Sequence, residues 1–129
     1  MQLTSSRVTM TVLLGLVLAV ATACVEQVQL PDDCDAPTVV RSATLAGDHL
    51  SPETIDVCRG QQVTLEVVTR QDGVLHLHGY EQEAPATEMH AGDRLKFTFE
   101  ASRAGQFVVE VHPPQGEELE VGIFTVHER

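Results

Sequence analysis

The chain has 129 residues, 19 acidic against 8 basic, and a formal net charge of −11. That length holds one domain and excludes a two-domain dinucleotide enzyme, a TIM barrel or a kinase fold. The acidity repels phosphate backbones and so disfavours nucleic acid as a partner, while 43% apolar residues suffice for a core and are too many for a disordered chain.

Residues 1–23 read as an export signal. Arg7 is the one charged residue before Cys24, Val12 to Ala21 is a continuous apolar run, and the small residues Ala21, Thr22 and Ala23 lead to Cys24. A short basic start, an apolar stretch and a small-residue cleavage site describe a secretory signal better than a transmembrane helix. The alternative is an uncleaved anchor, counted from Val8 to Val25. The box Ala21-Thr22-Ala23-Cys24 resembles the end of a bacterial lipoprotein signal, although that family favours Leu at the first place. The resemblance implies that Cys24 is diacylated and becomes the new N-terminus. It also implies an extracytoplasmic domain tethered to the membrane by its acyl chains.

The chain has three cysteines, Cys24, Cys34 and Cys58. With Cys24 lipidated, two remain, and an exported domain favours pairing Cys34 with Cys58. Two free thiols are the alternative in a reducing compartment. Residues 25–37 are polar, with Pro31 and Pro37, and with Cys24 they form a tethering arm, 24–37. The globular domain then occupies 38–129.

From Thr38 onward the hydrophobic period is two, and no stretch has helical spacing. Strands are expected over Thr38–Ala46, Thr54–Val57, Gln62–Thr69, Val74–Tyr80, Arg94–Glu100, Gln106–His112 and Leu119–Val126. The clearest alternation puts Val63, Leu65 and Val67 on one face, and likewise Leu95, Phe97 and Phe99, then Phe107, Val109 and Val111. Turn signals lie at Gln71-Asp72-Gly73, His90-Ala91-Gly92-Asp93, Ser102-Arg103-Ala104-Gly105 and Pro113-Pro114-Gln115-Gly116. Glu81 to Met89 is expected to be a loop. About seven short strands with regularly spaced turns predict an all-β, antiparallel sandwich or barrel. With no Trp, one Tyr and four Phe, its core must come mainly from Val, Leu and Ile.

Several segments resemble a cupredoxin in the right order. Ile55 to Leu65 is similar to the family's opening strand with its Gly-x-x-Val-x-Leu pattern. His76 and His78 lie where the family has its first copper-ligand histidine. Phe97-Thr98-Phe99 followed by Ala104-Gly105-Gln106-Phe107 resembles a run shared by the cupredoxin domains of cytochrome c oxidase subunit II and nitrous oxide reductase. Gly122 to Val126 resembles the closing strand. The likeness covers about residues 38–127 and implies a Greek-key, cupredoxin-like β-sandwich. It does not carry the copper site with it. By the same correspondence the family's Cys falls on Val111, its second His near Gln115 and its axial Met near Glu120. A blue-copper centre needs the thiolate, and the chain has no Cys after Cys58.

What the chain retains is histidine. In a strand, residues i and i+2 face the same side, roughly 6.5–7 Å apart. His76 and His78 therefore project together, opposite Leu75 and Leu77. His112 is out of phase with Val109 and Val111 and also leaves the core face. If its strand neighbours that of His78, a third imidazole comes within reach. Met89 and His90 could add a thioether or a further nitrogen. Imidazoles suit copper or zinc, and a thioether would tilt the site toward Cu(I). The alternative is that these histidines are simply polar outward residues, or partly buried ones hydrogen-bonded to backbone carbonyls or to Glu81. No nucleophile triad, phosphate loop or placed carboxylate pair can be read, so no enzyme is expected. Two functions follow: an exported lipoprotein binding non-blue copper or zinc, or a metal-free cupredoxin-like accessory module of a cell-envelope complex.

Overall fold

The computed structural model describes residues 28–129. The expected signal segment and the expected lipidation at Cys24 lie outside the described residues. Nine strands run in chain order: β1 (Thr38–Ala46), β2 (His49–Ser51), β3 (Thr54–Cys58), β4 (Gln62–Thr69), β5 (Gly73–Leu77), β6 (Thr87–Met89), β7 (Arg94–Glu100), β8 (Gly105–His112) and β9 (Leu119–His127). Among the described residues there is no helix. The seven expected strands are present. The two additional ones, β2 and β6, have three residues each, too few to show a period. The fourth ends at Leu77 rather than Tyr80, because Gly79 turns the chain at φ +79°.

The strands form two sheets, β2-β1-β4-β7 and β3-β9-β8-β5-β6. Most neighbours are antiparallel, as expected. Two pairs are parallel, β1 with β4 and β3 with β9, so both sheets are mixed. Local alternation cannot show this, because it fixes which face a residue takes and not the direction of a distant partner.

The alternating apolar residues meet between the sheets. Val63, Leu65 and Val67 of β4 and Phe99 of β7 oppose Leu75 and Leu77 of β5, Val109 and Val111 of β8 and Phe124 of β9, all buried. The single tyrosine, Tyr80, is fully buried, and the rings of Phe99, Phe107 and Phe124 surround it at centroid distances of 5.2, 4.8 and 5.8 Å. Its hydroxyl donates to the Arg103 carbonyl at 2.9 Å, so the polar atom is satisfied inside the core.

The second half of the arm is part of this fold. Cys34 is bonded to Cys58 across a sequence separation of 24, with Cα atoms 5.3 Å apart. Gln61, 0% exposed, donates from its side-chain amide to the carbonyls of Asp33 (2.7 Å) and Ala36 (2.9 Å). Its amide oxygen accepts from the Cys58 N–H at 2.7 Å. Arg41 adds a two-pronged contact with the Asp33 carboxylate, at 2.7 and 2.9 Å. That hydrogen bond holds the Asp33 carboxyl below its ordinary range.

The double substitution Cys34→Ala/Cys58→Ala should lower unfolding stability by about 3 kcal/mol, the chain-entropy value for a loop of this size. Urea unfolding of the oxidised protein and the variant would measure it. A difference near zero would mean that Gln61 and Arg41 hold the arm unaided.

Candidate metal centre

The outer face of the five-stranded sheet carries the site. On β5, Leu75 and Leu77 are buried, so His76 and the following His78 point outward. On β8, Val109 and Val111 are buried, so Glu110 and His112 point outward in the same way. The two strands pair antiparallel with His76 opposite Glu110 and Val74 opposite His112. Directly opposed side chains lie about 5 Å apart at Cβ. Register alone therefore assembles four polar side chains into one patch.

The expected trio of imidazoles is brought together. His76 lies between the other two, with ring centroids 5.9 Å from His78 and 4.5 Å from His112. His78 continues the ladder, donating its N–H to the Val108 carbonyl at 3.0 Å. Gly79 must follow it, because a Cβ there would lie 2.6 Å from the Phe107 ring at a left-handed φ.

The structure adds two carboxylates to the expected residues. Glu110 Oε2 contacts His78 Nε2, and Glu118 Oε1 contacts His112 Nε2. One ligand atom each from Glu110, His112 and Glu118 lie within 4.8 Å of one another. Glu110 is the most enclosed, with a side chain 13% exposed, against 40% for His112 and 47% for Glu118. Glu110 was legible in the sequence, because Glu110-Val111-His112 alternates as His76-Leu77-His78 does. Glu118 was not, because only the Pro113–Gly116 turn returns it beside His112.

The other two expected ligands lie elsewhere. Met89 is 0% exposed and packs in the core, within van der Waals range of the Cβ position of Gly73. A buried thioether offers nothing to an ion on the outer face. Its placement follows from β6, which pairs with β5 and turns Met89 inward opposite Gly73. His90 follows in the turn, 68% exposed, and faces Asp93 at 3.6 Å and Glu88 at 4.0 Å. It borders a recess of about 400 Å³ with Met89, His112, Pro113 and Pro114, and takes no part in the ring contacts. Val111, where the resemblance places the thiolate, is fully buried.

The carboxylates set the electrostatics. The Glu110 hydrogen bond, strengthened by the charges of Glu110, Glu81 and Glu118, raises the His78 pKa against desolvation. Glu81, which accepts from the Gly79 N–H at 2.9 Å, is held low chiefly by that bond. Chemically, the patch offers ring nitrogens and carboxylate oxygens, the donor set of borderline and hard divalent cations.

No family model matches the chain, and no curated protein does. Solved structures do match. One is the blue copper oxidase of Nitrosomonas europaea, at 17% identity and a TM-score of 0.56, covering 71% of this chain and 39% of the oxidase. A second is auracyanin A, a blue copper protein of Chloroflexus aurantiacus, at 16% identity and a TM-score of 0.54, covering 70% and 99%. A third is the metal-binding domain of the Cu(I)-exporting P-type ATPase CopA of Streptococcus pneumoniae, at 12% identity and a TM-score of 0.53, covering 72% and 89%. The chain spans well under half the length of the oxidases it matches. These likenesses establish the fold: residues 28–129 contain a cupredoxin-like β-sandwich.

In the metal-free protein, His78 should titrate above its ordinary value of 6.5. Because folding raises that pKa, its contribution to stability is full below the unfolded value and is lost as pH rises through the folded one. NMR titration of the ring protons would show the raised midpoint, and Glu110→Gln should bring it down. A midpoint unmoved by that substitution would remove Glu110 as the cause.

Proposed function

We propose that this protein is an exported, membrane-tethered, cupredoxin-like protein that binds a non-blue copper ion, or zinc in its place, through His76, His78 and His112. The observation that carries the reading is the convergence of three imidazoles on one sheet face, with His76 4.5 Å from His112 and 5.9 Å from His78. The copper proteins that share its fold support the choice of metal. The bound ion does not act as a blue electron carrier, since no thiolate stands near it. The protein is a binder and not an enzyme: the patch holds no nucleophile with a base and an orienting partner. Export and tethering rest on the apolar Val12–Ala21 run and the small-residue box ending at Cys24. On this reading the domain lies on the outer side of a membrane, held by acyl chains on Cys24.

A second reading has its own support. His78 already contacts Glu110, and His112 already contacts Glu118, so carboxylates can satisfy these rings without an ion. On that reading the domain is a metal-free accessory module docking on an envelope protein.

Calorimetric titration of residues 25–129, which contain every strand and the disulfide, should show saturable binding of about one Cu(II) or Zn(II). The copper form should have a weak d–d band and no intense blue absorption. His76→Ala/His78→Ala should weaken binding at least about tenfold, the loss expected when site groups are removed. Unchanged binding in that variant would favour the accessory module.

Tethering has a separate check. The full chain expressed in a bacterium that processes lipoproteins should partition with membranes, and Cys24→Ser should move it to the soluble fraction. Membrane retention of the Ser variant would favour the uncleaved anchor.

A further inference from the structure

We propose that Glu110 and Glu118 are themselves ligands, and that the site is built for a divalent cation, Cu(II) or Zn(II), and against Cu(I). The inference rests on the metal-binding reading above and adds to it two carboxylate ligands and an oxidation state.

The geometry comes first. The ligand atoms of Glu110, His112 and Glu118 lie within 4.8 Å of one another. Around one tetrahedral ion, with bonds of about 2.0–2.2 Å, ligand atoms stand roughly 3.4 Å apart. Small rotations of long, half-exposed side chains close that gap. The charge balance points the same way. Two carboxylates lie near His112, and among the described residues neither has an Arg or Lys within 4 Å; Glu110 contacts His78 and Glu118 contacts His112. Glu110 is also largely withdrawn from water, at 13% exposure. A largely buried carboxylate beside a second one is stabilised when a cation joins them. Finally, His112 Nε2 is shielded from solvent, and the group it meets is the Glu118 carboxylate. A shielded ring nitrogen set against two carboxylate groups is the donor set of a divalent cation.

Softness decides the oxidation state. Cu(I) selects thiolate and thioether ligands, whereas Cu(II) and Zn(II) accept imidazole and carboxylate. Here Cys34 and Cys58 are tied in a disulfide and Met89 is turned into the core. Met89 borders the same recess as His112 but is 0% exposed, so its sulfur is not open to solvent beside the cluster.

The test uses residues 25–129 with three metals. Cu(II) and Zn(II) are titrated by calorimetry, and Cu(I) by anaerobic competition with a chromophoric cuprous chelator. Wild type should bind Cu(II) more tightly than Cu(I). Glu110→Gln/Glu118→Gln should weaken Cu(II) and Zn(II) at least tenfold and leave Cu(I) little changed. Glu118→Gln alone, at an exposed position that cannot threaten folding, should weaken Cu(II) measurably. Full Cu(II) affinity in both Gln variants, or tighter binding of Cu(I) than Cu(II), overturns the inference. If those results coincide with loss of binding in His76→Ala/His78→Ala, the parent reading survives and only the carboxylate assignment falls. If wild type binds none of the three metals, both fall.

Discussion

The site depends on the pleat of two neighbouring strands. Leu75 and Leu77 on β5, and Val109 and Val111 on β8, are held in the core, and the residues between them have no choice but to face outward. Because the side-chain period is two, a slip of one residue on either strand would bury histidine and expose leucine. The hydrophobic core therefore positions the polar patch without touching it. The observed register, with His76 opposite Glu110, is the one that keeps all four apolar residues inside.

The rest of the structure secures that register. A core without tryptophan is organised around Tyr80, whose ring meets three phenylalanines and whose hydroxyl is answered by Arg103 backbone. Phe107, one of the three, also leaves no room for a side chain at position 79. The turn after His78 and the aromatic cluster are thus one mechanical unit. At the other end of the sandwich, Gln61 and the disulfide attach residues 31–36 to β3 and β4. A carboxamide with 0% exposure is stable there because both its oxygen and its nitrogen find backbone partners.

Most of this architecture could be read from the chain, and the misses have physical causes. The bounds of β1, β4 and β7 follow from alternation alone, since each strand has one buried face. β2 and β6 are too short for a period to register. The parallel pairs β1–β4 and β3–β9 are long-range choices that no local pattern encodes. His76, His78 and His112 were legible as a group because each follows a buried aliphatic residue, Leu75, Leu77 and Val111. Met89 was misjudged for the same reason in reverse: a residue assigned to a loop has no face, and only β6 gives it an inward one. Glu118 depends on the return of the chain through Pro113–Gly116, which turns signal without saying where the next strand begins.

The patch stands on the open surface of a sheet rather than at the bottom of a cleft. A cation there would be approachable from the side of the half-exposed His78 and Glu118, and no door would have to swing for it to leave. An incoming donor from another molecule could attach before the resident ligands let go. Departure would then proceed by hand-to-hand substitution, at a speed governed by the strength of the individual bonds and not by motions of the scaffold.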